Sequence, residues 1–266
     1  MPTAEPTRLA HLEQLIDSYL ASPENARYSA EQASRGAFKP PIGDAHTDRW
    51  LLWTQSELLA AMLDLSIRDA TGGKRSLDDL MRAMYANFPG ERGFTTMDVE
   101  RLAGEVSGRS LKPFFDAYVS GAGKIDFDQF LRLAGLKMEF QRKRATAPDG
   151  TLLPDRRVYV MLPNGESFLK LYFDDPNSGW LRAGLLNGDQ LLKFNGSVVE
   201  TESDFNGRLE ALHVRDRVKL EVMRAGTMRQ VTVAIESFDS PDVKIRELAD
   251  TSNRQKAIFA KWNAGQ

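Results

Sequence analysis

The sequence predicts a mixed α+β fold: an α-helical N-terminal domain, then a β-barrel or sandwich with two helices, then a helical tail. Apolar residues recur at helical spacing through residues 9–136, whereas between 157 and 235 they alternate with polar residues in short runs. The polar stretch 141–151 separates these regions and combines basic residues with Pro, Asp and Gly. This change of period and composition predicts a domain boundary.

Composition excludes several classes of protein. The 266 residues are 42% hydrophobic, which suits one large or two ordinary domains, and the net charge of −2 favours neither nucleic acid nor anionic membranes as partners. The absence of cysteine excludes disulfides, thiolate metal sites and thiol nucleophiles. We expect no membrane span and no signal peptide, because no long apolar run occurs and no basic segment precedes an apolar one at the start.

The N-terminal region begins with two predicted helices. Leu9–Leu20 has helical apolar spacing, with Thr7 as its N-cap. Ser29 and Gln32 have the spacing of a capping box, which predicts a short second helix. The Pro- and Gly-containing segment 39–43 predicts a break before the next element.

Residues 50–70 predict the strongest helix of the chain. It is apolar around much of its circumference, so we expect it deep in a core. Ser76 caps the following helix, in which Leu80, Met81, Met84 and Tyr85 are expected to face inward. The predicted helices after residue 70 span 77–88, 97–107 (capped by Thr95 or Thr96), 111–119 and 128–136.

The predicted domains are 1–140, which is helical, a linker at 141–153, a β-rich domain at 154–238 and a helical tail at 239–266. The basic run Gln141–Arg144 is too short for a nucleic-acid site, so we expect a solvated helix end. The tail is expected to dock through its apolar residues, which are Ile245, Leu248, Ile258, Phe259 and Trp262.

The β-rich domain begins with predicted strands at 157–162 and 167–173, joined by a turn at 163–165. A helix is predicted over 201–212. Two alternating segments, 218–223 and 230–235, complete the predicted strands.

One stretch, residues 178–196, organises this domain. Its sequence SGWLRAGLLNGDQLLKFNG predicts a short helix ending at Gly184, a turn at 187–189, an apolar strand and a second turn at Asn195-Gly196. This pattern resembles the central motif of PDZ domains in their bacterial, protease-associated form. The resemblance implies a PDZ-like domain, whereas the alternative is a helix–turn–strand unit of an unrelated β-rich fold.

The resemblance implies strand addition as the function of this domain: an extended peptide pairs with a sheet edge beside a helix. The edge is then the first strand and the wall is helix 203–212. Carboxylate capture normally uses a glycine loop before the strand, which this sequence lacks, and Arg156 and Arg157 are candidates to supply charge instead. The alternatives are a groove that is covered and a groove that binds internal segments. The implied groove residues are Tyr159, Val160, Met161, Leu162, Phe205, Leu209 and Leu212.

The helical half resembles the glycyl aminopeptidase family, which comprises thermolysin-like zinc metallopeptidases with a C-terminal PDZ domain. With the PDZ motif in the matching order, the resemblance spans nearly the whole chain. It implies that residues 1–140 correspond to the C-terminal half of a peptidase domain. The matching segments are Ser29–Ser34, Leu63–Arg68, Gly73–Asp79, Phe114–Gly121 and Gln255–Trp262.

The catalytic residues that this family implies are missing from the sequence. Such zinc peptidases carry H-E-x-x-H and a third carboxylate ligand, whereas His11, His46 and His213 form no pair one helical turn apart. A transition-state tyrosine is implied before the long helix, where this chain has Leu52–Ser56 with Trp53. We therefore expect no cofactor, and zinc only if a segment upstream of residue 1 exists.

Three hypotheses for function follow. The first is a non-catalytic peptide-binding or scaffolding unit of a glycyl aminopeptidase-like protein, with a peptide or protein segment as partner. The second is a fragment or subunit of an active zinc aminopeptidase whose metal-binding half lies upstream or on another chain. The third is a purely structural pair of domains. We expect a cytoplasmic protein if the chain is complete, and a periplasmic one if it belongs to an exported peptidase.

Overall fold

The computed structural model describes residues 7–22, 28–38, 45–163, 165–173, 175 and 177–265, with the backbone alone for 36–38 and 45–51. The predicted break at 39–43 and the side chains of His46 and Trp50 lie outside the described residues. The chain divides into two compact units: Met1–Leu20, Glu24–Gln141 and Pro241–Gln266 form unit 1, and Ala21–Pro23 and Arg142–Ser240 form unit 2. The predicted mixed α+β class is confirmed. The predicted domain limits stay predictions.

The α-helices are α1 Arg8–Ala21, α2 Ala30–Phe38, α3 Ala45–Thr71, α4 Leu77–Asn87, α5 Thr96–Ser107, α6 Lys112–Phe114, α7 Phe127–Leu131, α8 Gly179–Arg182, α9 Glu202–Glu210 and α10 Asn253–Asn263. A π-helical turn, Phe115–Val119, continues α6, and a 3-10 turn, Arg132–Ala134, continues α7. The strands are β1 Leu136–Arg144, β2 Val158–Met161, β3 Lys170–Phe173, β4 Gln190–Phe194, β5 Ser197–Val198, β6 Arg217–Arg224, β7 Thr227–Ala234 and β8 Asp239–Glu247. Within the described ranges, no helix is long and apolar enough to cross a lipid bilayer.

Helix α3 is central to unit 1, as its apolar circumference predicts. Leu58, Met62, Leu65 and Ile67 have no exposed surface and belong to one apolar cluster with residues of α1, α4, α5 and α10. The predicted caps are confirmed as well. Ser76 and Asp79 form a reciprocal capping box at α4, and Thr95 and Asp98 form one at α5.

Helix α4 buries a narrower stripe than expected. Leu80 and Met84 are buried, but Met81 and Tyr85 are 59% and 83% exposed, so their predicted inward orientation is wrong. All four are apolar or aromatic, so hydrophobicity alone does not separate the buried residues from the exposed ones. The contacts with α3 and α5 decide which face is covered.

Strands β1 and β8, which pair with each other, were not expected. Residues 141–144 belong to β1 rather than to a solvated helix end, and residues 239–247 form a strand rather than a helix. Of the tail residues expected to dock, Ile245, Ile258 and Trp262 are buried in the core of unit 1 and Phe259 packs against it, whereas Leu248 is half-buried outside that cluster. The pairing joins segments about a hundred residues apart, which local periodicity does not reveal.

Unit 2 is built on a six-stranded antiparallel sheet in the order β2-β3-β4-β6-β7, with β5 paired to β4. Its own apolar cluster includes residues of β2, β4, β6, α8 and α9. The predicted order of strands and helices is thus observed. Of the predicted turn at 163–165, Asn164 lies outside the described residues.

The stretch 178–196 folds as predicted. Ser178 caps α8, and Trp180 is 1% exposed in the core. After α8, Gly184 has a φ of +104°, which favours glycine. Asn195 and Gly196, with φ of +50° and +83°, form the tight turn between β4 and β5.

Candidate functional site

Strand β2 is the terminal strand on one side of the sheet in unit 2. It pairs in antiparallel register with β3, from Val158 opposite Phe173 to Met161 opposite Lys170. Within the described residues, the sheet order places no further strand beyond β2. Such an edge is a template for the backbone of an added strand.

The backbone of Val160 points toward this open side. Its partner Leu171 uses both backbone groups toward β4, donating to the Asp189 oxygen at 2.9 Å and accepting from the Gly188 N–H at 2.8 Å. In an antiparallel ladder, Val160 and Leu171 therefore form a non-hydrogen-bonded pair. The N–H and C=O of Val160 then face away from β3, where an added strand would pair.

Helix α9 packs beside β2. Thr201 caps it by accepting a hydrogen bond from the Asp204 N–H at 3.1 Å. Phe205 is fully buried and makes an edge contact with Phe194, with ring centroids 6.1 Å apart. The helix is thus fixed to the core by its apolar stripe and forms a stable wall next to the sheet edge.

The predicted groove residues separate into three groups. Val160, Phe205, Leu209 and Leu212 share the apolar core of unit 2 and have at most 6% exposed surface. Tyr159 and Met161 are half-buried on the other face of β2, where the Tyr159 ring stacks on Tyr172. Leu162 follows the strand and is 54% exposed. The structure therefore brings β2 and α9 together, but it uses Phe205 as a core residue.

Three polar residues of α9, namely Arg208, Glu202 and Asn206, were not singled out from the sequence. Arg208 donates hydrogen bonds to the carbonyl oxygens of Phe194 and Val198, so it marks the side of α9 that faces β4 and β5. Glu202 and Asn206 are exposed and lie one turn apart, on the side of Phe205 opposite to Arg208. Counting helical positions from a core Phe205 would have identified them.

Arg157, one of the two arginines proposed to supply charge, is committed to the structure of unit 2. Its guanidinium binds both oxygens of Asp155 at 2.9 and 3.0 Å, contacts Asp175 at 3.0 Å and lies over the Phe238 ring. Burial lowers the pKa of Arg157, but these carboxylates outweigh that effect and raise it. The positive charge of Arg157 is therefore paired with Asp155 and Asp175 inside unit 2.

Arg156 has a different environment. Its Nη2 donates a 2.6 Å hydrogen bond to the Leu212 carbonyl oxygen, which links the start of β2 to the end of α9. Its Nε is buried without a hydrogen-bond partner, and it forms no ion pair with a described residue. A positive charge with unused N–H donors thus lies at one end of the groove, and Glu202 lies on the first turn of α9 toward the other end.

The zinc centre that the family resemblance implies does not fit the described residues. They contain no group of three or more His, Asp or Glu side chains that could hold a metal ion. His11 instead pairs with Glu57 at 2.6 Å, and His213 lies 3.8 Å from Asp216. Trp53, in the segment aligned with the family tyrosine, is 76% exposed.

Comparison of the sequence with protein families identifies a PDZ domain at residues 175–235. The matched segment contains α8, α9 and strands β4 to β7, whereas β2 and β3 precede it. No curated protein sequence matches the chain at a significant level.

Among solved structures, an aminopeptidase N family protein from Idiomarina loihiensis matches 97% of this chain with a TM-score of 0.55 and 14% identity. This chain spans 45% of that protein's chain. The PDZ domain of HtrA3 bound to a phage-derived ligand (19% identity, TM-score 0.27) matches 38% of this chain and 91% of its own. The PDZ domain of EpsC from Vibrio cholerae (17% identity, TM-score 0.21) matches 36% and 92%. The chain is thus similar to an aminopeptidase-N-like fold and contains a PDZ domain.

Proposed function

We propose that the chain is a non-catalytic peptide-binding or scaffolding unit of a glycyl aminopeptidase-like protein, and that a peptide adds to β2 beside α9. The observation that carries this proposal is the outward orientation of the Val160 backbone at the sheet edge next to α9. Strand addition needs such unpaired backbone groups and a neighbouring wall that selects side chains. The proposed binding domain is residues 154–238.

The charges at the two ends of the groove favour one direction for the peptide. A C-terminal carboxylate would lie at Arg156, before the start of β2, so the peptide would run antiparallel to β2. The glycine loop that captures carboxylates in relatives is replaced here by a guanidinium with unused donors. Glu202 and Asn206 would then face residues further from the peptide C-terminus.

The test begins with selection of C-terminal peptides against the full chain from a displayed library. The selected peptide is then synthesised as a free acid and as an amide, and both are titrated into the wild type and Arg156→Gln by calorimetry. We expect the amide to bind the wild type about tenfold more weakly, because it loses a charge-assisted hydrogen bond. Arg156→Gln should bind the acid equally weakly and should not distinguish acid from amide.

The matched control is Arg229→Gln, which removes an exposed arginine from β7 on the opposite edge of the sheet. It should bind both peptides as the wild type does. Equal binding of acid and amide by the wild type would instead favour an internal segment as ligand. Failure to select any saturable peptide would overturn peptide binding and leave the purely structural hypothesis.

A second candidate function is that the chain forms part of an active zinc aminopeptidase whose metal-binding half lies elsewhere. The observation that favours it is the aminopeptidase N family structure, of which this chain spans 45%. Zinc content and aminopeptidase activity separate the two candidates when they are measured on the native protein, purified together with any chain that accompanies it. Stoichiometric zinc together with aminopeptidase turnover would reject the non-catalytic proposal, whereas zinc-free protein that binds peptide would support it.

A further inference from the structure

A cavity of about 170 Å³ lies within unit 1. Helices α1, α3 and α10 form its walls, together with Leu77 at the start of α4. Its lining residues are Arg8, His11, Leu12, Leu15, Glu57, Ala60, Ala61, Asp64, Leu77 and Trp262. The proposed function of the chain makes no use of this cavity.

The cavity has a polar mouth and a closed inner end. His11 and Glu57 form a 2.6 Å pair, and their side chains are 47% and 53% exposed. Leu12 and Trp262 are 3% and 1% exposed, so they close the inner end. Ala60 and Ala61 leave the space open, because a larger side chain on this part of α3 would fill it.

Trp262 leaves a polar group unsatisfied at this cavity. Its indole Nε1 is buried and has no hydrogen-bond partner among the residues that the structure describes. Buried indole N–H groups are normally paired, and leaving one unpaired costs about 1–3 kcal/mol. An occupant of the cavity that accepts a hydrogen bond would remove this cost.

Arg8 adds further donors beside Trp262. Its Nη1 donates a 2.6 Å hydrogen bond to the Trp262 carbonyl oxygen, and its guanidinium lies 4.8 Å from the indole centroid. Among the described residues, its closest carboxylate oxygen is in Asp64, 4.0 Å away, which is too far for a hydrogen bond. Most of the five N–H donors of Arg8 are therefore available.

Two arginines share one buried carboxylate beside this cavity. Asp64 is 4% exposed and accepts hydrogen bonds from Arg68 Nε at 3.0 Å and from the Leu77 N–H at 2.8 Å. Two guanidinium groups, of Arg8 and Arg68, thus face one buried carboxylate. Arg68 holds the shorter contact with Asp64, so Arg8 is the less tightly paired of the two arginines, and the other lining carboxylate, Glu57, pairs with His11 at the mouth.

We propose that this cavity binds a small carboxylate with a short apolar body. The carboxylate would accept hydrogen bonds from Arg8 and from Trp262 Nε1, which satisfies the indole and gives Arg8 a hydrogen-bonded carboxylate partner. The apolar body would lie on Leu12, Leu15 and Ala61. A 150 Å³ apolar cavity holds a molecule of about the size of benzene, so a ligand with about six or seven non-hydrogen atoms fits here.

Two classes of ligand carry a carboxylate on a short apolar body, and they differ in whether an ammonium group would lie near Glu57. A free amino acid such as L-alanine or L-valine carries an ammonium group that would pair with Glu57 at the mouth. A short fatty acid such as isobutyrate lacks that group. The test therefore uses L-valine, L-alanine, isobutyrate and the uncharged isobutyramide as separate probes.

The measurement is the indole ¹H–¹⁵N resonance of Trp262 in the full chain, assigned by its disappearance in Trp262→Phe. We expect at least one carboxylate probe to shift this resonance saturably, and isobutyramide to bind at least tenfold more weakly. Arg8→Gln should weaken binding about tenfold and Trp262→Phe about fivefold, the latter followed by calorimetry.

Ala61→Leu tests the site without removing a polar contact, because it fills the cavity and should abolish binding. The matched control is Arg101→Gln, which removes an exposed arginine of α5 that pairs with Glu105. It should leave binding unchanged. A Trp262 resonance that no carboxylate probe shifts saturably would overturn the proposal, as would unchanged binding in folded Arg8→Gln and Ala61→Leu. Because peptide binding is measured on unit 2, either proposal can fail without the other.

Discussion

Asp189 belongs to the predicted turn at 187–189, and its buried carboxylate holds neighbouring segments together through hydrogen bonds. It is 2% exposed and binds Arg224 through two hydrogen bonds of 2.6 Å. It also accepts the Leu186 N–H at 2.9 Å, which closes the turn before β4. The hydrogen bond from Arg224 to Asp189 raises the pKa of Arg224, so Arg224 stays charged.

We expect Asp189→Ala to lower the free energy of unfolding of unit 2 by about 3 kcal/mol, because it leaves Arg224 and the Leu186 N–H without their acceptor. Urea denaturation followed by circular dichroism measures the change. The control is Glu105→Ala, which breaks an exposed pair on α5 and should change stability by less than about 0.5 kcal/mol. Equal effects of the two substitutions would contradict the structural role of Asp189.

Among the elements, α1 and β8 are joined through carboxylates. The N–H of Val243 donates to Asp17 at 2.7 Å, and the N–H of Ile245 donates to Glu13 at 2.7 Å. Glu13 and Asp17 lie one helical turn apart, and Val243 and Ile245 are alternate residues of a strand. The helical period of α1 thus matches the two-residue period of β8, and α1 covers the strand edge.

This contact predicts an unusual pH dependence. Burial raises the pKa of Asp17, and the hydrogen bond from Val243 offsets only part of that effect. Because the pKa is higher in the folded state than in the unfolded state, ionisation of Asp17 opposes folding, and its contribution to stability improves as pH falls through the raised pKa.

Asp17→Asn tests this dependence, because an amide oxygen still accepts the Val243 hydrogen bond but carries no charge. The free energy of unfolding of the wild type relative to Asp17→Asn should rise when the pH is lowered from about 7 to about 4. Urea denaturation at several pH values gives this difference. A difference that falls at low pH would show that the hydrogen bond, not burial, dominates.

At the scale of the whole molecule, the chain leaves unit 1 after Gln141 and returns at Pro241. The returning segment is part of the core of unit 1, because Val243, Ile245, Ile258 and Trp262 are buried there. Unit 2 has a separate apolar core formed by residues 158–235. The core of unit 1 is therefore complete only when the returning segment is present, whereas the core of unit 2 does not need that segment.

We expect residues 142–240 to unfold cooperatively as an isolated fragment, and residues 1–141 to remain unfolded because they lack the returning segment. Near-ultraviolet circular dichroism during thermal denaturation measures both. The control joins 1–141 to 241–266 by a short Asn-Gly turn, which the 2.9 Å contact between the Gln141 and Asp242 side chains permits. Folding of 1–141 alone, or failure of the joined form, would contradict this division.

The sequence by itself determined the features that depend on neighbours within one or two turns. The caps at Ser76 and Thr95, the buried α3 and the helix–turn–strand unit of 178–196 are all encoded within a few residues. The sequence likewise determined that His11, His46 and His213 do not form the H-E-x-x-H pair. The α+β class follows from these local signals, since periods of 3.6 and 2 residues are local properties.

Only the tertiary structure decided the features that depend on distant partners. Strand β1 exists because β8, about a hundred residues later, pairs with it. Met81 and Tyr85 are exposed because packing covers only one stripe of α4. Of two adjacent arginines, Arg157 is held by Asp155 and Asp175, whereas Arg156 is left at the end of the groove. Such choices depend on packing and charge pairing between segments, which no local period of the sequence contains.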